Sequence, residues 1–135
     1  LLHRKAHHEG EVALTPDAPF APDVGELLDL RFDLLPEDAE VVTVRIRGID
    51  LRYEAAKRRL SFLDASAEIE ICEGRIPLHI LVDHTSLELF AHDGEISMSC
   101  CFLPEAAEQV LSFHAHGGSA RLYGLRVHEL DSAWP

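Results

Sequence analysis

The chain reads as an all-β domain, an antiparallel sandwich or barrel, and three observations predict it. Apolar and polar residues alternate with a period of two in one short segment after another. Turn signals sit close together between those segments: Pro36-Glu37-Asp38, Gly48, Glu73-Gly74, Asp93-Gly94 and Gly117-Gly118. No segment sustains the 3.6-residue period of an amphipathic helix. About ten strands fit this pattern, which is the number a sandwich or barrel needs.

Residues 1–25 are weakly patterned and broken by Pro16, Pro19 and Pro22, so they read as a linker or an edge segment. The β-domain proper is expected over residues 26–135. In its first strand Leu28, Leu30, Phe32 and Leu34 alternate with Leu27, Asp29, Arg31 and Asp33. After the turn at Pro36, Val42, Val44 and Ile46 alternate with Val41, Thr43, Arg45 and Arg47. Ile49, Leu51 and Tyr53 form the next strand. Glu54 to Arg59 is a polar loop with room for one helical turn. Leu60 to Leu63 and Glu68 to Cys72 are short strands, and Glu73-Gly74 turns the chain.

The sharpest stretch is Leu78 to Gly94, LHILVDHTSLELFAHDG. Leu78, Ile80 and Val82 share one strand face, with His79, Leu81 and Asp83 on the other. His84, Thr85 and Ser86 make the turn. Leu87, Leu89 and Ala91 share the next face, opposite Glu88 and Phe90. Asp93-Gly94 suits a type I′ turn, whose central residues both need positive φ. Ile96, Met98, Cys100 and Phe102 then alternate with Ser97, Ser99 and Cys101, and Pro104 ends the strand. Glu105 to Glu108 is short enough for one helical turn. Val110 to Ala115 returns as a strand, and Ala120 to Leu130 closes the fold with Tyr123, Leu125 and Val127 on one face. Phe90 lies between strands that are apolar on both sides, so it reads as a core anchor whose truncation costs about 3–5 kcal/mol.

Composition narrows the function. The chain has 135 residues, 47% of them hydrophobic, enough for one domain with a real core. Twelve basic against 24 acidic residues give a net charge of −12. That excludes a nucleic-acid partner, because phosphate neutralisation requires Lys and Arg. The apolar runs are too short for a membrane span. The N-terminal LLHRKAHHEG lacks both the apolar run of a signal peptide and an initiator Met, so a processed chain, or one cut from something longer, is expected. Cys72, Cys100 and Cys101 are an odd set, and neighbours in one strand point to opposite faces. Buried free thiols are the preferred reading, although Cys72 has the option of pairing with one of the other two. Free thiols without a signal peptide favour the cytoplasm.

Three blocks together resemble a known family. Leu81-Val82-Asp83-His84-Thr85-Ser86-Leu87-Glu88-Leu89-Phe90, followed by Asp93-Gly94, resembles the motif of the C-terminal β-sandwich of glycoside hydrolase family 32. Leu51-Arg52-Tyr53 before Leu60-Ser61 resembles that family's tyrosine strand and its return. Leu122-Tyr123-Gly124-Leu125 and then Leu130-Asp131-Ser132-Ala133-Trp134 resemble its terminal block. His84 stands where the family usually has Arg, and Asp64-Ala65 where an Asp-Arg pair is common. The resemblance implies a two-sheet antiparallel β-sandwich of the concanavalin or lectin-like jelly-roll type. It implies that Asp83, Ser86, Glu88, Phe90, Gly94 and Trp134 are motif residues with structural roles. It also implies a parent enzyme of the invertase, levanase, inulinase or sucrose-6-phosphate hydrolase kind, acting on fructans or sucrose. The catalytic partner would be an N-terminal five-bladed propeller, with homo-oligomer contacts as a further expectation. The propeller's Asp-Pro-Asn, Arg-Asp-Pro and Glu-Cys motifs do not occur in this chain.

No catalytic residue is nominated. Asp83, Ser86 and Glu88 offer no nucleophile–base pairing, and retaining hydrolysis needs two carboxylates across the scissile bond. Asp83 and Ser86 are expected to satisfy backbone donors in the turn, with Glu88 on the surface or at an interface. His114 and His116 share a strand face at an i, i+2 spacing that can chelate zinc, and His7-His8 are candidates to join them, but no Cys or carboxylate spacing completes the three or four ligands of a site. No metal or cofactor is expected. Trp134, Tyr53 and Tyr123 are suited to stacking on sugar, yet core or interface packing is the preferred reading. Arg45 and Arg47 read as a solvated face. The expected role is therefore a non-catalytic module that supports an absent propeller. A free-standing carbohydrate-binding, lectin-like module and a remnant of gene truncation are the alternatives. A face vacated by the propeller should leave apolar area exposed.

Overall fold

The computed structural model describes residues 2–101 and 109–131, with side chains over 6–101 and 109–130. Phe102, Pro104, the Glu105–Glu108 stretch and Trp134 lie outside the described residues. The described chain folds as a two-sheet antiparallel β-sandwich, as expected. The strands are β1 (Leu2–Leu14), β2 (Leu28–Leu35), β3 (Val41–Ile46), β4 (Ile49–Glu54), β5 (Arg59–Phe62), β6 (Ala65–Glu68), β7 (Ile76–Val82), β8 (Ser86–Ala91), β9 (Ile96–Cys101), β10 (Leu111–His116) and β11 (Ala120–Asp131). One sheet has the order β1-β11-β2-β7-β8-β9, the other β10-β3-β4-β5-β6. Among the described residues no helix is long and apolar enough to cross a membrane.

The alternating residues meet between the sheets. Leu28, Leu30, Phe32 and Leu34 of β2 are buried, as are Ile76, Leu78, Ile80 and Val82 of β7 and Leu87 and Leu89 of β8. From the facing sheet come Val42, Val44 and Ile46 of β3, Leu51 and Tyr53 of β4, and Leu111 and Phe113 of β10. Phe113 sits at the middle: its ring is edge-on to Phe32 at 5.6 Å and stacked on Phe20 at 6.0 Å. Each fully buried side chain of this kind contributes about 1.5–3 kcal/mol relative to exposure.

Four local readings change. Residues 2–14 are a 13-residue strand at the edge of the larger sheet, paired along β11 from Leu2↔Asp131 to Leu14↔Ala120. The prolines at 16, 19 and 22 follow that strand rather than break it. The second short strand of the β5–β6 hairpin is Ala65–Glu68 rather than Glu68–Cys72, and Ile69 is instead buried with its N–H donating to the Arg58 carbonyl at 2.7 Å. Between β8 and β9 a four-residue loop replaces the two-residue turn. His92, Asp93 and Gly94 all have positive φ (51°, 56° and 96°), and Ala91 pairs with Ile96. The cysteines are free but not buried as a set. Cys72 and Cys101 are exposed and Cys100 is half-buried, because Cys101 takes the outward parity of β9 and Cys72 lies between strands.

A fifth change bears on the site. The pairing of β11 with β2 slips between Tyr123 and Arg126, and Gly124 sits there at φ +64°. The bulge inserts one residue, so Leu122 and Leu125 both point inward and Tyr123 points out, 47% exposed. A strict alternation had placed Tyr123 with Leu125 and Val127. Phe90 needs the same correction. It is half-buried on the outer face of the sheet, not in the core, because only the Leu87-Leu89-Ala91 side of β8 is covered by the second sheet.

Candidate functional site

The outer face of the six-stranded sheet carries most of the chemistry that the fold gathers. Cross-strand register sets its rows. Arg126 of β11 faces Arg31 of β2, Arg31 faces His79 of β7, and His79 faces Phe90 of β8. The neighbouring row runs from Tyr123 to Asp33 to Pro77. Between β11, β2, β7 and the loop at Asp93-Gly94 the face forms a depression of about 770 Å³. Like charges directly opposite each other destabilise a sheet, and the flanking carboxylates relieve the row of cations. Asp29, only 7% exposed, accepts from His79 Nε2 at 2.8 Å and lies 3.7 Å from Arg31 Nε. Asp33 accepts from Arg75 Nη1 at 3.4 Å, and the Arg75 guanidinium sits 4.7 Å from the Tyr123 ring centroid. The rings of His79 and Phe90 pack at 5.7 Å.

The motif residues fall at two ends of this region. Phe90 and Gly94 line the depression. Asp83 and Ser86 close the β7–β8 turn: the Asp83 N–H donates to the Ser86 carbonyl at 2.9 Å, and Asp83 Oδ1 accepts from the His84 N–H at 2.7 Å. Glu88 is exposed on the outer face between Leu81 and Ser99. Trp134 lies outside the described residues. These residues are not brought together as one constellation. Of the carboxylates at the depression, Asp33 accepts from Arg75 and Asp93 lines the rim, while Asp29 lies beside it against His79 and Arg31.

The motif turn has a partner that the sequence did not announce. Arg47, read as solvated, is 7% exposed. It leaves the β3–β4 turn at φ +50° and reaches across to the other sheet. Its Nη1 donates to the carbonyls of Asp83 and His84 at 3.0 and 3.1 Å, and Glu26 lies 3.7 Å from its Nη2. Arg45 does stay on the surface, donating to both carboxylate oxygens of Asp50 at 2.7 and 3.2 Å. That bond, above all, holds the Asp50 carboxyl below its ordinary range.

The histidines do not converge. His114 and His116 stack at 6.3 Å on β10, and His114 Nε2 is 2.8 Å from Ser112 Oγ. Burial, with Arg45 and His116 adding, lowers the proton affinity of His114. His7 lies on the other sheet, bonded to Glu129 at 2.9 Å. Among the described residues no group of three or more His, Cys, Asp or Glu side chains is placed to hold a metal. Tyr53 is a core residue, as expected, whereas Tyr123, read with it as core or interface packing, is exposed, and Arg75, Arg31 and Arg126 emerge only from the fold. The available signal was Gly124, since a glycine inside a strand pattern marks a bulge and hence a change of face.

Comparison with known proteins fits the geometry. The family described as "Glycosyl hydrolases family 32 C terminal" matches residues 4–129. A levanase of Bacillus sp. (strain L7) is 40% identical over 60 residues, 44% of this chain and 6% of that protein. A levanase of Bacillus subtilis (strain 168) is 29% identical over 69 residues, 51% of this chain and 10% of its own length. The chain thus spans a tenth or less of these relatives. Among solved structures, β-fructofuranosidase from Schwanniomyces occidentalis superposes with a TM-score of 0.76 at 12% identity, over 97% of this chain and 34% of that one. Exo-inulinase from Aspergillus awamori gives 0.71 at 16% identity, over 98% and 30%. At such identities the superpositions speak for the fold alone.

Proposed function

Because the chain belongs to the family of C-terminal domains of glycosyl hydrolases family 32, we propose that it is the non-catalytic module of a longer hydrolase acting on fructans or sucrose. In this reading it supports an N-terminal catalytic propeller, and homo-oligomer contacts are a further part of the proposal. The observation that carries it is the extent of the family match, 4–129, which takes in both sheets and, in whole or in part, all eleven strands of the described residues. The chemistry supports the same reading. A retaining glycosidase holds two carboxyl groups about 5–5.5 Å apart across the bond it cuts. Here Asp29 serves His79 and Arg31, and Asp33 serves Arg75.

Two measurements test it. The chain alone is expected to release no reducing sugar from sucrose, inulin or levan. Turnover that survives repurification and is lost on changing one of its carboxylates overturns the non-catalytic role. Added to a levanase catalytic domain expressed without its own C-terminal domain, the chain is expected to raise that domain's melting temperature. An unchanged melt at saturating chain overturns the supporting role.

A further inference from the structure

We propose that the depression on the outer face of the six-stranded sheet binds a neutral oligosaccharide, with Tyr123 as its stacking platform. The ligand class follows from the groove. That the sugar is fructose rests on the proposed function above.

Tyr123 is a large amphipathic ring turned outward by the Gly124 bulge and left 47% exposed. A ring of this kind presents an apolar plate to C–H surfaces and a hydroxyl to polar groups. Its position is pre-set. Arg75 lies against the ring at 4.7 Å and is itself tied to Asp33. Binding therefore costs little side-chain ordering. Phe90, packed on His79, supplies a second apolar surface in the same depression.

The polar lining selects against charge. Arg31 and Arg126 face the depression together with Asp33 and Asp93, two cations against two anions. Neither sign prevails, and a chain of net charge −12 repels polyanions. A sugar hydroxyl both donates and accepts, so vicinal hydroxyls can use guanidinium donors and carboxylate acceptors at once. The volume, about 770 Å³, lies within the range of roughly 300–1,000 Å³ in which proteins hold drug-sized ligands. Apolar plates with a few convergent polar groups are the composition of such sites.

Calorimetric titration of the chain with inulin-type, levan-type and malto-oligosaccharides tests the proposal. Fructo-oligosaccharides are expected to bind. Tyr123→Ala should weaken binding at least about tenfold, as removal of a central aromatic anchor does, with the melting curve little changed. Arg126→Gln should also weaken it. Arg52→Gln, on an exposed position of β4 in the other sheet, should not. Binding of malto-oligosaccharides alone, still lost in Tyr123→Ala, upholds the groove and removes its assignment to fructans. No binding by any of the three, or binding indifferent to Tyr123→Ala and Arg126→Gln, overturns the proposal. The hydrolysis and catalytic-domain measurements judge the parent function separately.

Discussion

Two side chains show how far environment departs from residue type. Arg47 is a buried cation whose guanidinium joins the sheets by closing on the carbonyls of Asp83 and His84. Hydrogen bonds to a charged donor are worth about 1.5–3 kcal/mol each, and water at the exposed turn recovers part of that on their loss. Arg47→Met should therefore destabilise the domain by about 2 kcal/mol in urea denaturation. Glu26→Gln should cost no more than about 0.5 kcal/mol, since an exposed partner at 3.7 Å adds little. Phe90 is the converse case, a large aromatic left half-covered. Phe90→Ala should cost about 1–2 kcal/mol, well below the roughly 3–5 kcal/mol expected for Phe113→Ala or Phe62→Ala in the core. Thermal melts of the three variants side by side check that order.

At the scale of the strand, the bulge at Gly124 sets which face each residue of β11 presents. A side chain at φ +64° meets no steric obstacle from neighbours, so the penalty is conformational. Gly124→Ala should destabilise by about 1 kcal/mol, seen as a lowered denaturation midpoint. Strands β2, β3, β4, β7 and β8 were legible because in each the apolar residues that face the second sheet alternate cleanly. Leu28 to Leu34 and Leu78 to Val82 announce their buried sides without help. Strand β1 was not legible. Its run, LHRKAHHEGEVAL, is polar at an edge where only Val12 and Leu14 reach the core among its described side chains. The motif residues were legible as a pattern, but the depression was not. Its cations and aromatics come from β2, β7, β8 and β11, and only register brings Arg126, Arg31, His79 and Phe90 into one row. Strand β10 offers a pH test. The lowered proton affinity of His114 means that its neutral form stabilises the fold fully above the ordinary value near 6.5, and that this contribution is lost as pH falls through and below it. Between about pH 7 and pH 5 the wild type should lose more stability than His114→Gln does.

Across the whole molecule the three thiols differ in exposure. Cys72 and Cys101 are exposed, while burial pushes the Cys100 thiol up. In the native protein an aromatic disulfide reagent should titrate two thiols quickly and the third slowly, because only the thiolate reacts. Equal rates for all three would place Cys100 at the surface.

The pairing of β1 with β11 carries a mechanical consequence. Leu2 sits opposite Asp131, and the two strands run antiparallel from there to Leu14 and Ala120. The described chain therefore enters and leaves the sheet at the same corner. Tension applied between those two points loads the ladder one rung at a time, as a zipper is opened, instead of shearing all its hydrogen bonds together. The domain should yield at low force, starting with β1, while β2 still holds the other side of β11. The same corner delays closure of that edge during synthesis: among the described strands β1 precedes all the others and β11, its ladder partner, follows them, so this edge of the sheet waits for β11.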